Sequence, residues 1–225
     1  IIASSGAKQA IMVALQAILN PQEEVVFPAP YWVSYPDMAR LIGAIPVSAP
    51  AEDGTFYPAI KDIEDRVGSY TKAVIINSPN NPTGAMYSEE FISDIVQFCE
   101  KKDIWLIMDD IYHRLIFDGK KPINALKYAK KQDENSKIII INGVSKQYAM
   151  TGFRIGWAVG NKKVIAAMSN IQGHQTSGPS VLLQKAAVGA LNGIQSSVES
   201  LRVTLENNRN VMIGLLNSFE GVKVT

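Results

Sequence analysis

The sequence predicts an α/β protein, a three-layer α/β/α sandwich built on a mostly parallel, mixed sheet. Three observations carry this. Short β-branched runs alternate with helical stretches along the chain. The runs "KAVIIN", "IWLIM" and "KIIII" are apolar at consecutive positions, as strands covered on both faces must be. Hydrophobic residues make up 47% of the 225, which allows a substantial core between two helical layers.

Taken in order, Ile1-Ile2-Ala3 reads as a strand already under way. "AKQAIMVALQAIL" puts Ala7, Ala10, Ile11, Ala14, Leu15 and Ile18 at helix spacing. "EEVVFP" reads as a strand, "WVSYPDMARLIG" as a helix broken early by Pro36, and "AIPVSA" as a strand. "KAVIINSP" is a buried strand. "SEEFISDIVQFCEKKD" is a helix with Ser88 as N-cap and acids in its first turn. "IWLIMDD" and "KIIIING" are strands, and "RIGWAVG" is one that returns antiparallel after a short turn. Helices dominate from Lys162 to Ser218. "GVKVT" at the end reads as a strand cut short, and the chain is expected to be one domain, residues 1–225, of a longer protein.

Composition narrows the function. The 22 basic and 21 acidic residues leave a formal charge of +1 with no basic stripe, so nucleic acid is not expected as a partner. The lone Cys99 has no intrachain partner, which fits a reducing, cytoplasmic setting and a packed core thiol. No apolar run reaches the roughly 18 residues of a membrane span, and no secretory signal opens the chain. His113 and His174 are too few and too separated for a metal site.

In a mostly parallel sheet, ligands bind at the carboxyl ends of the strands. The segments just past the apolar runs are "SSGAK", "PAPYW", "NSPNNPTG", "DDIY" and "NGVSK". All carry polar, glycine or aromatic residues that strand packing does not require. Lys146 follows a buried strand, and no further charge appears until Arg154. A lone lysine is ordinarily a surface residue, but in these surroundings it is a candidate Schiff-base nucleophile. Asp109 and Asp110 abut "IWLIM", so an acid there needs a cationic or donor partner. Tyr112 lies three residues after Asp109. Trp32 is an aromatic plate at a strand end, a place where core packing is the commoner role. Gly6 opens a helix directly after a strand, where free amides can hold phosphate. No G-x-G-x-x-G or Walker A pattern occurs.

A lysine, a buried acid, a phenol, an aromatic plate, an asparagine and a phosphate cradle with an arginine are together what pyridoxal 5′-phosphate requires. The lysine forms the aldimine, the acid keeps the ring nitrogen protonated, and the arginine, a hydroxyl and helix-start amides neutralise the phosphate.

"NSPNNPTG", "DDIY" and "SKQYAMTGFRIG" resemble the class I/II aminotransferases of PLP fold type I, over essentially the whole chain. "GAKQA" and "PYWVSYP" are most similar to the bacterial and archaeal aspartate aminotransferases. The resemblance implies that the chain is the large cofactor-binding domain. It implies Lys146 as the Schiff-base lysine, Arg154 as the phosphate arginine and Asp109, rather than Asp110, as partner of the pyridine nitrogen. Tyr112 and Asn81 would bond the ring oxygen. Trp32 would stack on one ring face, with Ile111 against the other. The amides of Ala7 and Lys8 and the hydroxyl of Ser145 would hold phosphate, and the Asn81-Pro82 peptide would be cis. Gly143 departs from members that carry a phosphate-binding serine there, which shifts phosphate binding toward Ser145, Arg154 and the amides. The resemblance further implies amino-acid and 2-oxo-acid substrates, aspartate with 2-oxoglutarate first, and a homodimer with a shared active site. Lys8, a cation in the first turn of a helix, is unfavourable there unless it meets an anion; the distal carboxylate of such a substrate would be one. Two alternatives remain: a lyase or decarboxylase on the same fold, and an effector-sensing domain of a transcription regulator.

Overall fold

A computed structural model describes residues 1–51, 54–131, 134–222 and 224. Its strands are β1 (Ile2–Ser4), β2 (Glu24–Ala29), β3 (Ile45–Pro50), β4 (Thr71–Asn77), β5 (Trp105–Asp109), β6 (Ile138–Gly143) and β7 (Gly156–Val159). They form one seven-stranded sheet in the order β1-β7-β6-β5-β4-β2-β3. β7 runs antiparallel to both β6 and β1, and every other pair is parallel. The helices are α1 (Ala7–Ile18), α2 (Ser34–Leu41), α3 (Ile60–Glu64), α4 (Glu89–Lys102), α5 (Lys162–Thr176), α6 (Val181–Asn192) and α7 (Ser196–Leu216).

The consecutive apolar runs serve two cores. Val25, Phe27, Ile75, Ile107, Ile139 and Ile141 pack with Ile11, Leu15 and Met168 of α1 and α5. Their neighbours Val26, Val74, Ile76, Leu106, Met108 and Ile138 pack with Ile92, Ile95, Val96 and Cys99 of α4. Successive strand residues point to opposite faces, so a sheet covered on both sides has no polar alternation to show. Each aliphatic side chain fully buried this way contributes about 1.5–3 kcal/mol. Ser88 caps α4, its Oγ accepting from Phe91 N at 3.0 Å, with Glu89 and Glu90 in the first turn.

Several expectations change. Pro36 does not break a helix; it lies in the first turn of α2, where its missing N–H has no intrahelical acceptor to lose. Arg154 and Ile155 precede β7 instead of beginning it, because Arg154 ends a 3-10 turn (Thr151–Phe153) in the left-handed conformation, φ 52°. α3 was not anticipated. Of the final segment, Gly221 lies in a turn and Val222 and Val224 form no strand, while Lys223 and Thr225 lie outside the described residues. The Asn81-Pro82 peptide is cis as expected, as are Ala29-Pro30 and Ser78-Pro79.

Gly156 fixes how α1 meets the sheet. A Cβ there would lie 2.4 Å from Ala7 N and 2.6 Å from Gly6 C, so the start of α1 rests directly on β7. Both partners are backbone and cannot swing aside. Gly156→Ala should therefore destabilise the protein by about 3 kcal/mol. Gly173 in α5 has open space around it, and Gly173→Ala should stabilise by about 0.5–1 kcal/mol through helix propensity. Urea unfolding midpoints of the two variants check this; comparable midpoints would refute it.

Candidate active site

The parallel strands bring their carboxyl ends to one edge of the sheet, and the turns after them enclose a cavity of about 300 Å³. The turn into α1 contributes Ala7 and Lys8, and the segment after β2 contributes Trp32. β4 and its loop contribute Asn77 and Asn81; β5 and its turn contribute Asp109, Ile111 and Tyr112. Ser145 and Lys146 follow β6, and Thr151 and Arg154 precede β7. Gly6 does not line the cavity. Its place is behind Arg154: a Cβ on Gly6 would lie 2.4 Å from Arg154 Nη2. Asp110 does not line the cavity.

The floor is the Asp109 carboxyl, 4% exposed. Tyr35 Oη donates to Asp109 Oδ2 at 2.7 Å, and Ile111 N donates to Oδ1 at 3.4 Å. Asn77 Nδ2 donates to the Asp109 carbonyl at 2.8 Å, while Asn77 Oδ1 accepts from Asn81 N at 2.8 Å. One side chain thus ties the end of β5 to the "NSPNNPTG" loop. Asn81 Nδ2 in turn donates to Tyr112 Oη at 3.4 Å. Lys146 Nζ lies 5.7 Å from the Tyr112 ring centre.

The opposite wall is cationic. Arg154 is exposed and donates to the carbonyls of Thr151 at 2.8 Å and Ser5 at 3.4 Å. α1 begins at Gly6 with no side-chain cap, which leaves its first amides to meet a ligand. Lys8 Nζ lies 4.9 Å from the Trp32 ring centre. Gly143 has a structural reason for being glycine: a Cβ would meet Ile155 O at 2.8 Å and Gly156 Cα at 3.0 Å, so a serine does not fit against β7 here.

The whole chain, residues 1–225, matches the family model described as aminotransferase class I and II. The chain belongs to the class I and II aminotransferase family. It is 39% identical over 222 residues to the aspartate aminotransferase of Bacillus subtilis, a match covering 98% of this chain and 56% of that protein. It is 42% identical over 218 residues to a probable aspartate/prephenate aminotransferase of Rickettsia bellii, covering 96% and 54%. The solved structure of Thermus thermophilus aspartate aminotransferase with maleate is similar at a TM-score of 0.86 and 33% identity, covering 96% of this chain and 55% of that one. The chain therefore spans about half the length of these relatives. The Thermus thermophilus structure shares its fold, an α/β fold of PLP fold type I.

Sequence reasoning about this aminotransferase chain missed Tyr35, Asn77 and Thr151. Tyr35 stood inside "PYWVSYP", and the signal for it was indirect: a buried acid must find a donor. It also missed a cluster behind the site, where Arg114 Nη1 and Tyr148 Oη both donate to Gln195 Oε1, at 2.5 and 2.9 Å. That cluster pins the turns beyond Tyr112 and Lys146 to the junction of α6 and α7. A larger groove of about 880 Å³ lies at the amino ends of the strands, near Asp103, Lys137 and Lys163. It is open, and Lys137 is paired with Asp103 at 2.8 Å.

Burial pushes Asp109 up to about 6 from its ordinary 3.8, against the downward pull of the Tyr35 and Ile111 bonds. Burial and the Asp109 charge push Asp110 up to about 7, and the same two causes raise Tyr112. The folded protein holds the Asp109 proton more tightly than the unfolded chain does. Its contribution to stability is therefore full below about pH 4 and is lost as pH rises through about 6. In protein dialysed free of small molecules, Asp109→Asn should match wild type near pH 4 and exceed it by about 1–3 kcal/mol at pH 7. Urea unfolding at the two pH values checks the crossover; an equal difference at both would refute it.

Proposed function

We propose that this chain is the cofactor-binding part of a pyridoxal 5′-phosphate-dependent aminotransferase. Its reaction moves an amino group from an L-amino acid, aspartate first, to a 2-oxo acid, 2-oxoglutarate first. One observation carries the reading: Lys146, Asp109, Tyr112, Asn81, Trp32 and Arg154, drawn from separate turns, line one cavity. The donor set fits the cofactor. An anionic acid on the floor suits a protonated ring nitrogen, and a cationic wall with uncapped helix amides suits a phosphate.

When bound, the cofactor supplies an aldehyde carbon that captures amines and a ring that withdraws electrons. The chain's own residues do the rest. Asp109 would hold the ring nitrogen's proton. Tyr112 Oη and Asn81 Nδ2 would donate to the ring oxygen, and Trp32 and Ile111 would bracket the ring. Ser145 Oγ, Arg154 and the Ala7 and Lys8 amides would hold the phosphate. Lys146 Nζ makes no ion pair among the described residues. That leaves it available as the tether and then as the base that takes the proton from the substrate's Cα.

A homodimer with a shared site belongs to this reading. The apolar side chains of Val181, Leu182, Val211 and Leu215, exposed on α6 and α7, support a covered face there. A cytoplasmic location fits the single, buried Cys99. No helix among the described residues is long and apolar enough to cross a membrane.

Borohydride treatment of the purified full-length protein should bleach a yellow band and leave one label, on the peptide holding Lys146. Lys146→Ala should fold and lose turnover. A label on Lys162 or Lys163 would overturn the assignment, and release of ammonia or CO₂ without a 2-oxo acid would favour a lyase or decarboxylase.

Lys8 carries the substrate preference. It is exposed at the cavity mouth, makes no ion pair among the described residues and stands over Trp32. Maleate, named in the Thermus thermophilus structure, is a dicarboxylate. Lys8→Ala should raise KM for aspartate and 2-oxoglutarate by about 10- to 100-fold, the size of one hydrogen bond to a charged group. Aromatic substrates should change much less. An equal loss for both classes would assign Lys8 to the phosphate instead.

A further inference from the structure

We propose that Tyr35 is a positioning residue for the cofactor's ring nitrogen, its hydroxyl orienting the Asp109 carboxyl and keeping it anionic. The inference rests on the function proposed above and extends it to a residue outside the cavity lining.

Tyr35 is 1% exposed, in the first turn of α2, and its hydroxyl donates to Asp109 Oδ2 at 2.7 Å. Its ring meets Trp32 edge-on, with centres 5.5 Å apart and planes at 89°, and leans on Phe27 at 5.8 Å. One buried side chain therefore sets both the plate proposed to stack on the ring and the acid beneath the ring nitrogen. A donor aimed at a carboxylate favours its charged form. Without the hydroxyl, the carboxyl oxygens would retain, among the described residues, only the long contact from Ile111 N at 3.4 Å. A buried carboxylate with so little solvation takes up a proton and can no longer stabilise a cationic ring nitrogen.

Tyr35→Phe deletes the hydroxyl and keeps the ring with its packing. The experiment titrates the cofactor-free, full-length protein with pyridoxal 5′-phosphate and with its 1-deaza analogue, which has CH in place of the ring nitrogen. Tyr35→Phe should weaken pyridoxal 5′-phosphate about tenfold, the loss of one charge-assisted hydrogen bond, and the 1-deaza analogue by less than about twofold. The Asp109 carboxyl resonance in ¹³C-labelled protein, assigned with Asp109→Asn, should titrate about one pH unit higher in the variant. If Tyr35→Phe does not fold, Tyr35→3-fluorotyrosine, a stronger donor of nearly the same shape, should lower that midpoint. Equal weakening of both ligands, no weakening of either, or an unmoved midpoint would overturn the proposal. A wild-type protein that binds neither ligand would overturn the cofactor reading itself, a result visible before any variant is made.

Discussion

The burial of the Asp109 carboxyl is the constraint around which the site is arranged. β5 is apolar on both faces, so the acid at its end has no water on which to rest its charge. The protein supplies the substitutes: a phenol from α2, a backbone amide from its own turn, and Asn77 fixing the carbonyl of the same residue. These donors do not fully offset the desolvation, and the carboxyl remains pushed up to about 6. An acid left in that condition is suited to meet a cation that arrives with a ligand. The groups that hold this residue come from α2 after β2, from β4 and from the turn after β5, so Asp109 ties three strand ends together.

A second constraint is closeness of backbone. Gly6, Gly143 and Gly156 lie at successive layers of one contact, where α1, Arg154 and β7 press together. Each lacks a side chain because a Cβ would strike a neighbouring group. This packing puts uncapped helix amides and a guanidinium on the same wall. Arg154 reaches that wall from a left-handed backbone, φ 52°, which turns its side chain back toward Ser5 rather than along β7.

The fold was legible because its signals are local. Runs such as "AVIIN" and "IWLIM" cannot be half-exposed strands, and Ser88 with Glu89 and Glu90 states a helix start within a few residues. The site was legible for a different reason: a parallel sheet gathers its carboxyl ends, so the residues just past each apolar run are the ones that meet at the cavity. The illegible parts depend on three-dimensional neighbours. Nothing near Tyr35 in the chain says that its hydroxyl meets Asp109, 74 positions away. Pro36 misled because a proline's effect depends on where the helix begins, and that start is set by packing. Gly143 looked like a lost serine until β7 was placed against it.

The electrostatics of the cavity then point outward. Lys8, Lys146 and Arg154 line it with Asp109 as the acid, and none of the three cations makes an ion pair among the described residues. The amino end of α1 adds about half a positive charge to the same wall. Like charges gathered this way repel one another, although Lys8 and Arg154 are exposed and solvent screens much of that repulsion. The fold tolerates that cost through contacts elsewhere, chiefly the two cores and the glycine-mediated seam. A ligand that brings negative charge to this wall and a basic nitrogen to the Asp109 floor would be favoured by both, which is what the function proposed above requires.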